Sequence, residues 1–240
     1  MDSFEEDPIV PVSSPWPSTD ADLLGGDNDW WLVACMDWPR DRWLGYGGGY
    51  WKGAEVIAAH VASAGRDQDY LVYPFLMCWR HYIELQLKVL IGLMRTYRRE
   101  PMELPKNHVI DHLWRVARPL LSEAFPDDDE KKDLDNAERV LMQLHSFDPT
   151  SEHFRYPARK DGTETLATLD RIHIRRFHET MDGVAHILDG ADTAIRLMID
   201  NRAEYEEAMR DLYGLYCSWA SPSELLHQFV YFSNCPILEG

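Results

Sequence analysis

Leu71 to Arg98 reads LVYPFLMCWRHYIELQLKVLIGLMRTYR. Leu76, Ile83, Leu87, Leu90 and Met94 recur along it at spacings of three, four and seven, which is the period of one helix face and not the alternation of a strand. A long helix from about Leu71 to Arg98 is therefore expected, with Pro74 tolerated in its first turn. A second line runs along the same helix: Arg80, Glu84 and Lys88 are successive i,i+4 neighbours, plus, minus, plus. On an exposed face such a ladder stabilises a helix by roughly a few tenths of a kcal/mol per pair. In a cleft, Arg80 and Lys88 could instead hold a phosphate or an acidic partner, with Glu84 positioning them. The expectation is partial burial, with Glu84 bonded to Arg80, Lys88 or Arg155 and serving architecture before chemistry.

Four further helices are legible around this one. Tyr50, Ala54, Ile57, Val61 and Ala64 predict a helix that follows the glycine-rich turn GYGGGYWKG and ends at Gly65. That turn follows no strand and has neither phosphate-loop spacing. A third helix is expected to begin near Asn107, a good N-cap, and to bury Val109, Leu113, Val116 and Leu120. A fourth should start after FPDDDEKK and bury Leu134, Ala137, Leu141 and Leu144. The last and longest pattern is Phe177, Met181, Val184, Leu188, Ala191, Ile195 and Met198, continuing or re-forming through Tyr205, Met209, Leu212 and Tyr216. With no alternating run anywhere, the fold class is all-α, an antiparallel four- to five-helix bundle.

The 240 residues, 45% of them hydrophobic, suffice for one substantial core. Residues 1–28 read as a disordered or draped acidic arm and 29–49 as a packing segment rich in tryptophan. The bundle follows at 50–220 and a C-terminal extension at 221–240. From Met1 to Pro39 there are nine acids and no Lys or Arg. Trp30, Trp31, Trp38, Trp43 and Trp51 are more aromatic area than water would favour, so that segment is expected to lie as a lid on the domain.

Acids outnumber bases by 41 to 24, a net charge of −17, and such a surface repels phosphate backbones unless bases gather locally. RNA is a disfavoured partner and a basic protein a favoured one. The four cysteines, Cys35, Cys78, Cys217 and Cys235, form no CxxC pair, which fits a reducing cytoplasm and gives no thiolate zinc site. The stretch MDSFEEDPIV is acidic and lacks the basic start and apolar run expected of a signal peptide, and the longest apolar run, LVYPFLMCW, is too short to cross a bilayer. No membrane association is expected.

His108 and His112 stand one turn apart, with Asp111 between them, but no third ligand is fixed by spacing, so no metal is expected. Asp127, Asp128 and Asp129 could chelate magnesium, yet acids at a helix start are explained by the helix dipole. No cofactor is expected. SEHFRYP is an unusual loop, aromatic and basic in an acidic chain. His153, Arg155 and Tyr156, with Arg159 and Lys160 beyond, make it the clearest positive patch, able to bind a ligand or to pin the loop to the bundle.

YPFLMCWRHYIELQLKVLI, NHVIDHLW and SFDPTSEHFRYP, in that order, resemble the HEPN superfamily of prokaryotic helical bundles. The likeness falls on Arg80, His81, Glu84 and Lys88, then on His108, Leu113 and Trp114, and covers about Tyr50 to Ile199. It implies a four- or five-helix bundle, often dimeric, in bacterial toxin, phage-defence or stress-response systems, and in many members a metal-independent RNase. Those RNases use an Arg and a His separated by four to six residues, with a polar residue after the Arg. Arg139 with His145 and Arg171 with His178 have the separation, but apolar Val140 and Ile172 follow the arginines. Two such pairs are about what chance gives for this number of histidines. Arg171 and His178, seven apart, would share a helix face. They are the candidate catalytic pair, His178 as general acid or base and Arg171 stabilising phosphorane charge. The expected function is a non-catalytic or regulatory component acting by binding, with Arg80, Glu84, Lys88, His108, His153, Arg155 and Tyr156 as binding residues and a protein partner or homodimer. The alternative is a metal-independent endoribonuclease working as a dimer.

Overall fold

The computed structural model describes residues 16–17, 19–24, 30–36, 41–167 and 169–219, with the side chains of Trp30 and of 214–219 excepted. The chain divides into two units, Met1–Arg40 and Asp41–Gly240. The first contains one short 3-10 turn, Trp30–Leu32, with the Trp31 ring 68% exposed. Trp38 lies outside the described residues.

Among the described residues the second unit has five helices: α1 (Arg42–Ala64), α2 (Gln68–Tyr97), α3 (Ile110–Ala124), α4 (Asp128–Phe147) and α5 (Ile174–Trp219). Among the described residues the only β pairing is an isolated bridge between Ala158 and Glu164. The all-α reading of the sequence is what the chain adopts. α2 is the axial element, packing on α1, α3 and α5, while α4 closes against α3 and α5. From Tyr82 to Met94 every residue of α2 is buried. A helix enclosed on all sides places its polar residues inside as well.

Most of the predicted stripe residues form the core, but Val109, which precedes α3, and Val116 are only half-buried and Ala64 is exposed. Leu76, Ile83, Leu87, Leu90 and Met94 meet Leu113, Leu120, Leu134, Ala137, Leu141 and Leu144, with Met181, Val184, Leu188, Ala191 and Ile195 from α5. The boundaries differ from the sequence expectation at several places. α1 begins eight residues earlier than Tyr50, because Asp41 caps it, its Oδ1 accepting from the Trp43 and Leu44 amides at 2.9 and 3.4 Å. Gly47, Gly48 and Gly49 are thus helical rather than a turn, and Trp43 and Trp51 belong to α1. Trp51 is half-buried, its Nε1 donating to Asp182 Oδ1 on α5 at 2.9 Å and its ring 5.3 Å from that of Tyr82.

Gly65, in the left-handed region at φ 62°, ends α1 as expected. α2 starts at Gln68, which leaves Pro74 in its second turn rather than its first. α4 begins inside the acidic run, and Lys131 and Lys132 pair with Asp128 and Asp129 one turn back. α3 begins at Ile110, so Asn107 and His108 precede it; Asn107 Oδ1 accepts from the Val109 amide at 2.6 Å. His108 and His112 therefore do not share a helix. α5 runs unbroken for 46 residues, and no described helix is long and apolar enough to cross a membrane.

Candidate functional site

Inside the bundle the Arg80, Glu84, Lys88 line is enclosed, with side-chain exposures of 1, 1 and 7%. Burying three ionised groups is costly unless each is paired and hydrogen-bonded, and the geometry meets that demand. Glu84 Oε2 accepts from Arg80 Nη1 at 3.0 Å. Its Oε1 accepts from Lys88 Nζ at 2.9 Å and lies 2.6 Å from His108 Nδ1. Burial alone would raise the Glu84 carboxyl, but the hydrogen bonds from Lys88 and His108 and the charges of Lys88 and Arg80 outweigh it. The carboxyl is held below its ordinary range. An ionised Glu84 makes His108 Nδ1 the donor, which leaves Nε2 as the ring's outer nitrogen.

Arg80 carries the cluster toward the surface. Its Nη2 donates to the His108 carbonyl, and its Nε, buried without a hydrogen bond, lies 3.6 Å from Asp148 Oδ2. Asp148, itself 1% exposed, ends α4 and organises the adjoining loop: its Oδ1 accepts from the Glu152 and His153 amides at 2.9 and 3.0 Å. His153 Nδ1 then lies 2.9 Å from the Phe147 carbonyl and can only donate to it. Nε2 is thereby the acceptor that Arg159 Nε approaches at 3.0 Å. Arg155 stays exposed, 3.4 Å from Ser151 Oγ.

The loop so fixed forms one wall of an open cleft of about 750 Å³, whose other walls are the first turns of α2 and the segment leading into α5. His153, Arg155, Tyr156 and Arg171 line it, as do Asp69, Tyr73 and Asp170, with Val72, Leu76 and Ile174 among its apolar lining. Tyr73 and Tyr156 are more than half exposed.

The sequence candidates thus separate into two groups. Arg80, Glu84, Lys88 and His108 meet in one cluster, of which only the His108 ring is largely exposed; His153, Arg155, Tyr156 and Arg171 meet in the cleft. His178 joins neither. It lies within α5, its ring 5.5 Å from that of Trp79 and its Nδ1 buried without a hydrogen bond. Arg171 precedes the first residue of α5, so the two do not share a helix face. Among the described residues no three His, Cys, Asp or Glu side chains converge as metal ligands.

Asp148 and Tyr73 escaped sequence reasoning as site residues, and His81 entered it only through the family likeness. Asp148 was legible only as an acid at the end of an apolar helix pattern followed by Pro149, the signature of a residue that turns back on its own loop. His81 is half-buried beside the cluster and packs edge-on against Tyr50 at 4.4 Å. Tyr73 is an aromatic residue off the core stripe of α2, and that offset was its signal. Comparison with family models, curated proteins and solved structures returns no match.

Proposed function

We propose that this chain is a HEPN-like bundle that acts by binding, as a non-catalytic or regulatory component of a bacterial defence or stress-response system. The observation that carries the reading is the separation of Arg171 from His178. An Arg and a His that cut RNA must reach the same phosphate, yet one lines an open cleft and the other is packed against Trp79. The Arg80, Glu84, Lys88 and His108 cluster supports it from the other side, because its charges are spent on one another. A homodimer belongs to the same reading. The exposed side chains of Tyr205, Met209 and Leu212 recur at helical spacing on α5, in the part that follows Arg202, which donates to the Tyr97 carbonyl at the end of α2.

The test is incubation of the pure protein with structured RNA in EDTA, beside His178→Ala. No cleavage is expected from either. Cleavage by the wild type that disappears in the variant would replace this reading with the endoribonuclease.

A further inference from the structure

We infer that the cleft between the first turns of α2 and the 153–174 segment binds a compact molecule joining a planar ring to a phosphate monoester or comparable dianion. This rests on the binding reading above and gives it a ligand class.

The first reason is charge left over. Most cations of the bundle are committed: Arg98, Arg118, Arg196, Lys131 and Lys132 all pair with carboxylates. Residues 155–176 behave differently. They hold Arg155, Arg159, Lys160, Arg171, Arg175 and Arg176 against only Asp161, Glu164 and Asp170, and among the described residues none of the six makes an ion pair. Arg155 and Arg171 face the same cleft. In a chain of net charge −17, unspent arginines in one concavity are the groups a dianion would seek, and guanidinium suits phosphate by its forked donors.

The second reason is shape. A volume of about 750 Å³ lies within the range of small-molecule sites, with an apolar lining and a few convergent polar groups. Tyr73 and Tyr156 line the cleft and are more than half exposed, aromatic groups of the kind a planar ligand can stack on. Asp69 and Asp170 line the same space, able to accept from a hydroxyl or ring N–H and adverse to a ligand charged throughout.

The third reason is field. Residues 41–240 hold 32 acidic against 23 basic residues, an excess that disfavours a strand of phosphates running beyond the arginines, whereas a ligand with one charged end stays within about one Debye length, roughly 8 Å, of them. The compact ligand is favoured over RNA on that ground.

Calorimetric titration of the full chain with phenyl phosphate, inorganic phosphate and phenol at low salt tests the assignment. Phenyl phosphate should bind about tenfold or more tighter than either part alone. Arg155→Ala and Arg171→Ala, both at exposed positions, should each weaken it by about tenfold, with partial recovery in the Lys variants. Tyr73→Ala should weaken phenyl phosphate without changing inorganic phosphate. Absence of binding, equal affinity for phosphate and phenyl phosphate, indifference to both arginine variants, or an RNA hexanucleotide binding more than tenfold tighter than phenyl phosphate would each overturn it. These titrations read the cleft directly. RNA cleavage lost in His178→Ala would sink the non-catalytic reading and leave the titration to judge the ligand.

Discussion

His108 Nδ1 sits 2.6 Å from Glu84 Oε1, on the same oxygen that Lys88 Nζ reaches at 2.9 Å. The carboxylate beneath is 1% exposed and the imidazole above it 62%. One buried acid therefore answers three cationic or donor groups, and the four do not contribute alike. Glu84→Gln leaves Lys88 buried without its counter-charge and Arg80 with Asp148 alone, at 3.6 Å. The expected loss is about 3–5 kcal/mol of unfolding free energy in urea. His108→Ala keeps the backbone carbonyl that Arg80 uses and should cost about 1 kcal/mol. Equal losses in the two variants would mean that the exposed ring, not the buried carboxylate, organises the cluster.

The same cluster sets a direction for pH. Glu84 is held below its ordinary value of 4.5, so the unfolded chain takes up its proton first and the stability it confers is lost as pH falls below that value. His81 lies in the same sense for other reasons: burial foremost, then the charges of Arg155, Arg80 and Lys88, outweigh the opposing pull of Glu84 and depress it below 6.5. Its contribution is lost as pH falls from about 6.5 downward. The melting temperature should thus decline in two stages, one beginning near pH 6.5 and one below pH 4.5. In His81→Gln the upper stage should flatten and the lower remain. A decline of unchanged form in that variant would assign the upper stage to another group.

Asp148 is the link between cluster and cleft, facing Arg80 on one side and the amides of Glu152 and His153 on the other. Asp148→Asn keeps an acceptor for the amides and removes the charge beside Arg80. Asp148→Ala removes both and should cost about 2–4 kcal/mol. Amide hydrogen exchange should then show residues 152–156 losing protection in the Ala variant more than in the Asn variant. Equal protection in both would place the hold on this loop elsewhere, with the pair of His153 and Arg159 as the next suspect.

How much of this was legible before the fold was known depends on the range of the forces involved. The stripe from Leu76 to Met94 and the one from Phe177 to Met198 are local periodicities, and such stripes alone yielded five helices and most of the core. Helix starts were read less well because they depend on single side-chain bonds. Asp41 extends α1 back through three glycines, and Asn107 bonds an amide before α3 begins. The Arg80, Glu84, Lys88 line was legible as a ladder and its partial burial with Glu84 as the shared acceptor was expected, but its near-complete enclosure was not, since that comes from α1, α3 and α5 closing around α2. The pairing of Arg171 with His178 rested on both lying in one helix. A helix that starts three residues after Arg171 removes that premise, and no property of the two residues themselves could have shown it.

α5 bears on the proposed dimer. Its 46 residues correspond to about 69 Å of helix, against about 45 Å for the 30 residues of α2. Arg202 donates to the Tyr97 carbonyl and Arg99 to Glu206, and past these bonds Met209 and Leu212 are 45 and 61% exposed, with Tyr205 at 65% between them and the core. Apolar side chains at i, i+4 and i+7 are the spacing by which one helix seats another. A second copy meeting this stripe would bury all three without disturbing the interior. Sedimentation of the wild type should show a dimer at micromolar concentration, and Met209→Glu with Leu212→Glu should weaken it by about a hundredfold. The melting temperature extrapolated to high dilution should be the same for both proteins, because the changed residues lie on the surface of the monomer. A wild type that sediments as a monomer at every concentration removes the dimer, and a dimer indifferent to the two glutamates moves its interface to another helix.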